Sequence, residues 1–340
     1  YQQARDAAQA IADDSVIEEL PAVIDMAAAV ADASNRVHDE IPDNLCYDWG
    51  WIEDNRAAVD AAFKSAPHVT TLELVNNRLV PNAMEPRASI GEYFPGTGDY
   101  KLTTTSQNPH LTRLLVAAFV LGIPENKLQV VAPDVGGGFG SKIYHYGEEA
   151  LVLAAAKKLA RPVRWTAERS DSVHSDAHGR AHVTKIELAC DLEGNFIAFR
   201  TETLANVGAY LSNFSTATPT FLHGTLMAGP YKLPHVYVNV KTVFTNTAPV
   251  DAYRGAGRPE ATFSIERIVD KMCRELNLDP FEVRRKNLIQ PDQFPYTTPV
   301  GLVYDTGNYQ ATLDKLIELA DVAGFDKRAA ASKAKGKLRG

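Results

Sequence analysis

Cysteine is scarce in this sequence. Cys46, Cys190 and Cys273 are its three cysteines among 340 residues, and no two of them stand at the spacing of metal ligands. So few thiols argue against a disulfide framework and indicate a reducing compartment, and we therefore expect a cytoplasmic protein. Apolar runs are short as well, and none reaches the roughly 18 residues that a membrane-spanning helix needs.

An excess of positive charge is also missing. The chain has 35 lysines and arginines against 42 aspartates and glutamates, a formal net charge of −7. Binding to nucleic acid or to an anionic membrane surface depends on clustered positive charge, so neither kind of partner is predicted. With 45% apolar and 23% charged residues, the composition is typical of a globular protein, and the length suffices for about two domains.

Helical and strand-like patterns alternate along the chain without an internal repeat. Apolar spacing predicts helices over residues 4–12, 109–121, 147–159, 261–276, 280–286 and 309–320. Strands are predicted over residues 16–23, 128–131, 162–165, 182–190, 196–207 and 236–245. This mixture predicts an α+β fold with mixed β-sheets and packed helices rather than a repeating βαβ array. The mixed polarity of residues 26–54 predicts a linker, with a new domain beginning at residue 55.

A glycine-rich turn at residues 134–142 is the first candidate for chemistry. Four of the five positions 136–140 are glycine, between a predicted strand and a predicted helix. A phosphate-binding Walker loop would need glycine at Ser141 and serine or threonine at Ile143, and a dinucleotide fingerprint would also need glycine at Ser141. Two interpretations remain: a turn whose N–H groups converge on an anion or an oxo group, or a tight packing turn.

Two further segments precede helices. Residues 252–260 place two arginines and two glycines before a helix N-terminus, which suits an anionic ligand, although a capped helix with solvated arginines would look the same. Residues 103–110 form a polar run that enters the helix beginning at Pro109 and, taken alone, are only a good N-terminal cap. His110 is interpreted as a surface or cap residue rather than a metal ligand.

Taken together, the three segments resemble consecutive signatures of the first molybdenum-cofactor domain of the xanthine oxidase family. Residues 106–110 resemble the family's Thr-Gln segment, whose glutamine donates to an oxygen on molybdenum. Residues 136–140 resemble its Gly-Gly-Phe-Gly loop, whose main-chain amides face the metal's oxo ligand. Residues 252–258 resemble the active-site loop of form II carbon monoxide dehydrogenases. Smaller matches, to which we assign structural roles, lie at residues 81–87, 161–165, 281–287 and 304–307.

The resemblance implies a domain organisation and a set of partners. Residues 1–25 would be the C-terminal end of a hammerhead domain, 26–54 a linker, and 55–340 the first molybdopterin-binding domain. The implied cofactor is molybdenum on molybdopterin cytosine dinucleotide. Iron–sulfur clusters and FAD are expected on a small and a medium partner subunit, beside the remaining half of the large subunit. A dimer of such heterotrimers is the implied assembly.

The same resemblance assigns roles at the site. Gln107 and Arg254 would be catalytic residues. The implied cofactor-binding residues are Gln107, Gly137, Gly138, Phe139, Gly140, Arg254, Gly255 and Ala256. No side chain is expected to ligate molybdenum, because in the family the pterin dithiolene holds the metal.

Departures from the family pattern narrow the implied reaction. True carbon monoxide dehydrogenases have a copper-binding cysteine where this chain has Gly255, which offers no ligand for copper(I). Purine-oxidising members have a glutamate where this chain has Ile143. The family's catalytic glutamate base is a different residue, and it cannot be placed in this chain. The predicted reaction is therefore hydroxylation of an aldehyde or an N-heteroaromatic carbon, with water as the oxygen source. Two alternatives stay open: a truncated or non-catalytic cofactor-binding or assembly module, and carbon monoxide oxidation despite the missing cysteine.

Overall fold

The structure is a computed structural model that describes residues 2–340. Its helices are α1 Gln2–Asp14, α2 Met26–Ala31, α3 Arg56–Ser65, α4 Pro109–Leu114, α5 Gly147–Leu159, α6 Arg169–Ser175, α7 Phe221–Gly224, α8 Arg258–Leu276, α9 Pro280–Asn287, α10 Tyr309–Leu319 and α11 Phe325–Lys333. Its strands are β1 Leu45–Trp51, β2 His68–Asn76, β3 Ala88–Phe94, β4 Asp99–Thr104, β5 Leu128–Val131, β6 Val163–Thr166, β7 His182–Cys190, β8 Phe196–Gly208, β9 His235–Phe244, β10 Tyr296–Thr297 and β11 Val303–Tyr304. Among residues 2–340, no helix has both the length and the apolar character needed to cross a membrane.

A five-stranded sheet in the order β1-β9-β8-β7-β2 forms the larger of the two main layers. Strands β8 and β9 run parallel, and the other neighbours are antiparallel. Along β7, Ile186 and Leu188 are buried and Lys185 is exposed, which is the alternation expected of a strand with one covered face. That face packs on α8 through Ile265 and Ile268. Each fully buried aliphatic side chain of this kind stabilises the fold by roughly 1.5–3 kcal/mol.

A four-stranded sheet in the order β5-β4-β3-β6 carries the elements that position the site. Helix α5 lies across β3, where a Cβ on Gly91 would come within 2.5 Å of the Val152 main chain. Glycine in this strand therefore permits a close approach of helix to sheet. Leu102, Val116 and Leu153 form the core between them. As a result, the end of β5 and the start of α5 are held together, and the glycine-rich turn joins them.

The two mixed sheets and their helices confirm the predicted α+β fold. Every predicted helix is present, and five of the six predicted strands are present with boundaries within a few residues. The helix predicted over residues 109–121 is α4 continued by a π-helical segment, Leu115–Leu121, and it ends at Gly122 in the left-handed conformation. The elements that the sequence patterns missed include the helices α2, α3, α6 and α7 and the strands β1 to β4, β10 and β11.

The structure differs from the sequence-based expectations in two places near the start of the chain. Residues 16–23 were predicted as a strand but have no regular secondary structure, and Val16 and Ile17 are 99% and 82% exposed. A strand needs a neighbouring backbone for its hydrogen bonds, and the described part of the chain offers none here. The predicted linker, residues 26–54, contains α2 and also β1, which pairs with β9. The five-stranded sheet therefore begins before residue 55.

Candidate functional site

The glycine-rich turn has an unusual backbone. Gly137, Phe139 and Gly140 are in the left-handed region, with φ of 92°, 54° and 113°. Such angles are easy for glycine and costly for a bulky residue, so the backbone at Phe139 is strained. The Phe139 side chain is 43% exposed and therefore gains little from burial. A strained, exposed aromatic residue is the kind of outlier that functional loops retain.

Gln107 precedes the N-cap of α4 and is joined to the glycine-rich turn twice. Its backbone N–H donates to the Lys142 carbonyl at 2.8 Å, and its side-chain Oε1 accepts from the Gly140 N–H at 2.9 Å. Because Gly140 engages the oxygen, the Gln107 Nε2 is left to donate. Within residues 2–340 neither this Nε2 nor the Phe139 N–H has a protein partner. In this structure the Gly140 N–H is thus engaged by Gln107 and orients its side-chain amide.

Gly138 leaves the space that the Gln107 side chain occupies. A Cβ at Gly138 would lie 2.1 Å from Gln107 Oε1, 2.5 Å from Cδ and 2.8 Å from Cγ. We expect Gly138→Ala to displace Gln107 and to lower the free energy of unfolding by about 1–3 kcal/mol. In a Gln107→Ala background the same substitution should have much less effect, which a double-mutant cycle by chemical denaturation would measure. Strictly additive effects would show that Gly138 is required for another reason.

Glu85 and Lys142 hold the glycine-rich turn in place. Glu85 Oε2 accepts from the Gly136 N–H at 2.7 Å and from Lys142 Nζ at 2.9 Å. The Lys142 side chain is almost completely buried. Burial tends to raise the pKa of Glu85, but the hydrogen bonds from Lys142 and Gly136 outweigh it, so the pKa lies below the usual range. The carboxylate therefore stays charged and compensates the buried ammonium group.

The Arg254 loop, residues 252–257, lies directly against the glycine-rich turn. The Arg254 N–H donates to the Phe139 carbonyl at 2.9 Å. The Arg254 side chain is exposed, and among the residues described its guanidinium has no protein partner. The next three residues, Gly255, Ala256 and Gly257, have φ of 92°, 38° and 84°. This left-handed run turns the chain sharply into the N-terminus of α8.

Position 255 is unfavourable for any side chain. A Cβ on Gly255 would lie 2.8 Å from the Pro259 ring, and the backbone has a positive φ. The sequence has no thiol at this position, and a cysteine introduced there would be strained. Ala256 packs against a small buried cluster of Tyr144, Ala177 and Ala252, and Ile143 packs against the same cluster.

Two buried charged residues that the sequence patterns did not single out support the Arg254 loop. Arg180 donates to the main-chain carbonyls of Tyr253 and Arg254. Asp251 accepts from the Phe214 N–H at 2.7 Å, and burial raises the pKa of Asp251 even though this hydrogen bond opposes the shift. The bond from Arg180 to Arg254 joins residues that are 74 positions apart in sequence, and the bond from Phe214 to Asp251 joins residues that are 37 positions apart. No local motif signals such contacts, so only the tertiary structure reveals them.

The three segments predicted to form the site thus meet in the structure. Phe139 is at the centre, since its neighbour Gly140 bonds Gln107 and its own carbonyl bonds Arg254. Among the described residues of these segments, the groups without a protein partner include the Gln107 Nε2, the Phe139 N–H and the Arg254 guanidinium, and all three are hydrogen-bond donors. Such a set suits an anionic group rich in oxygen rather than a cation.

The fold thus brings three distant segments together as one set of hydrogen-bond donors. Residues 37–288 match the family model described as the molybdopterin cofactor-binding domain. The chain belongs to this family, and the predicted resemblance to molybdenum hydroxylase large subunits is confirmed.

Relatives and solved structures agree with this assignment. The carbon monoxide dehydrogenase large chain of Hydrogenophaga pseudoflava is 36% identical over 296 residues, which cover 86% of this chain and 36% of the relative. The nicotine 6-hydroxylase large subunit of Paenarthrobacter nicotinovorans is 32% identical over 292 residues, covering 83% and 34%. Quinoline 2-oxidoreductase from Pseudomonas putida 86 superposes with a TM-score of 0.87 at 32% identity, covering 94% of this chain and 40% of that chain. The chain therefore spans about a third of the length of these curated relatives.

Proposed function

We propose that this chain is part of the catalytic large subunit of a molybdenum hydroxylase. The reaction is the oxidative hydroxylation of an aldehyde or an N-heteroaromatic carbon, with oxygen from water. The observation that carries the proposal is the pair of hydrogen bonds, Gly140 to Gln107 and Arg254 to Phe139, that joins three distant segments into one set of donors. The relatives' names add support, because two of them denote enzymes that act on nitrogen heterocycles.

The donor set fits the molybdenum cofactor, which carries oxo and phosphate oxygens that accept hydrogen bonds. When bound, the cofactor supplies the two-electron oxidation of the substrate carbon and passes the electrons on. We propose the cytosine dinucleotide form, with iron–sulfur clusters and FAD on partner subunits. The remaining half of the large subunit would complete the site and supply the glutamate base. The proposed assembly is a dimer of heterotrimers in the cytoplasm.

The chain's own residues then have distinct roles. Gln107 Nε2 and the Phe139 N–H would donate to cofactor oxygens, and Gly140 fixes the orientation of the Gln107 amide. Arg254 places a positive charge where negative charge develops on the substrate, an interaction worth several kcal/mol, as an order of magnitude, in a site that excludes water. The resemblance also assigns Gly137, Gly138, Gly255 and Ala256 to the residues that would bind the cofactor.

Carbon monoxide is the less favoured substrate. Two relatives are named as carbon monoxide dehydrogenase large chains, but Gly255 offers no thiolate and its backbone disfavours any side chain. Copper(I) binding needs a soft ligand, which this loop lacks at that position. A non-catalytic cofactor-binding or assembly module is the second alternative. Measuring both metal content and turnover distinguishes such a module from an enzyme.

We expect the natively purified complex to contain about one molybdenum per chain and no stoichiometric copper, because the donors suit the cofactor and Gly255 cannot hold copper. Elemental analysis with intact-mass measurement checks this. Turnover is then tested with quinoline and benzaldehyde in ¹⁸O-labelled water, with a dye as electron acceptor. Labelled product supports hydroxylation. Copper equal to molybdenum would restore carbon monoxide as the substrate, and molybdenum without any turnover would favour the non-catalytic module.

A further inference from the structure

Arg180 lies beneath the Arg254 loop, in a segment that no motif marks. Its side chain is 7% exposed, and that of its partner Glu260 is 2% exposed. Arg180 and the following Ala181 both have a φ of 65°, which is uncommon for residues other than glycine. Such strain persists only where surrounding contacts hold the residues in place.

The Arg180 guanidinium makes three hydrogen bonds to the Arg254 loop and the start of α8. Nη1 donates to the Tyr253 carbonyl at 3.0 Å and to Glu260 Oε1 at 3.1 Å, and Nη2 donates to the Arg254 carbonyl at 2.8 Å. The guanidinium also lies over the Tyr253 ring, 4.8 Å from its centroid. Next to it, a Cβ on Gly179 would come within 2.3 Å of Tyr253 Cβ. The segment is therefore packed tightly against the residue that precedes Arg254.

These contacts fix the backbone on both sides of the Cα of Arg254. The Arg254 N–H is held by Phe139, and the Arg254 carbonyl is held by Arg180. With both peptide groups held, the direction in which the side chain leaves the loop is set. Glu260 is in the first turn of α8, so its ion pair with Arg180 also ties the loop to the helix.

We propose that Arg180, held by Glu260, is a positioning residue that aims the Arg254 guanidinium at the reacting group. The proposal rests on the proposed function. An arginine is needed because its planar fork reaches two carbonyls and a carboxylate at once, whereas the single ammonium of lysine cannot match that geometry. Arg180 acts through Arg254 and does not itself contact the substrate.

The test uses the native complex carrying Arg180→Lys, with Glu260→Gln as a second variant and Arg284→Lys as the matched control. Arg284 is a half-buried arginine on α9. It pairs with Glu266 and Asp270, which lie on α8 beyond Glu260. The readouts are molybdenum content, kcat and KM with quinoline or benzaldehyde, and amide hydrogen exchange over residues 252–257. The exchange measurement needs neither cofactor nor turnover.

For Arg180→Lys we expect kcat to fall on the order of ten-fold, since small misplacements of a catalytic group have effects of this size. KM and molybdenum content should stay within about two-fold of the wild type. The Arg254 and Ala256 amides should exchange faster. Glu260→Gln should lower kcat and speed amide exchange in the loop by smaller amounts than Arg180→Lys, because a glutamine oxygen still accepts from Arg180. The control should change neither kcat nor loop exchange.

Unchanged kcat and exchange in Arg180→Lys would overturn the proposal. A parallel loss of kcat and molybdenum would also overturn it, since that result assigns Arg180 to cofactor retention. If Arg180→Lys does not accumulate as folded protein, Glu260→Gln decides by the same readouts. A wild-type complex without molybdenum would refute the proposed function instead, and the exchange experiment would still show whether Arg180 holds the loop.

Discussion

Replacing Arg254 by alanine should reduce turnover by on the order of 100- to 1,000-fold while leaving molybdenum content close to that of the wild type. The reason is that the backbone and the side chain of Arg254 have separate roles. The Arg254 backbone N–H bonds Phe139 and survives the substitution, whereas the exposed guanidinium has no protein partner in the described structure. Its loss removes charge from the site without removing a contact of the fold. Steady-state kinetics and elemental analysis of the same preparation measure the two quantities.

Arg267→Ala is the matched control for this experiment. Arg267 is another exposed arginine, on α8, where its guanidinium lies over the Phe263 ring. It lies outside the Arg254 loop, so its removal should leave turnover unchanged. If Arg254→Ala lost molybdenum and turnover in equal proportion, Arg254 would be a residue of cofactor retention and not of catalysis.

Gly140→Ala should have the largest effect on folding. A Cβ at this position would lie 2.1 Å from the Ala252 carbonyl oxygen, and φ is 113°. The backbone conformation alone costs an alanine about 1–3 kcal/mol, and the collision with a main-chain carbonyl adds to it. We expect Tm to fall by on the order of 5–10 °C. We also expect loss of molybdenum from the purified complex, because the turn can no longer close against the Arg254 loop.

Gly122→Ala separates the two causes. Gly122 also has a positive φ, of 64°, but a Cβ there would meet no atom within 4 Å. This variant should lose only the conformational part, about 1 kcal/mol, and keep its molybdenum. Calorimetry and elemental analysis on both variants give the comparison. Equal effects would mean that the Ala252 carbonyl moves aside at little cost and that the close contact is unimportant.

The sequence predicted the elements whose pattern is strong and missed those whose pattern is weak. Strands β7 and β8 alternate clearly about a short turn, and α8 has a long apolar stripe, so all three were found. Strand β1 contains Asp48 and Gly50 and lies at the edge of the sheet, where little alternation is required. Residues 16–23 show the opposite error: they have strand-like composition, but strand formation also depends on a neighbouring backbone.

The site was predicted to a similar extent. Gln107, Phe139 and Arg254 stand in segments with recognisable composition, and the structure brings those segments together. Their catalytic and cofactor-binding roles remain predictions. Arg180 could not be found in this way, because a buried charge is defined by partners far away in sequence, not by its neighbours in the chain. The hydrogen bond from the Gly140 amide to Gln107 could not be predicted for the same reason, since a motif does not reveal which amide is bonded within the protein.

The order of strands in the larger sheet has a consequence for biosynthesis. Strand β1 pairs with β9, bringing together residues 195 positions apart, as in the bond from Thr242 to Tyr47. Sheets closed by such distant pairs fold slowly, since chain entropy is lost before the contacts that compensate for it can form. Ribosomes add roughly 5–20 residues per second, so the on the order of 100 residues between Phe139 and Arg254 take several seconds to emerge. During that interval the nascent chain has its glycine turn and Gln107 but no arginine loop, so the three segments can meet only after residue 254 has emerged.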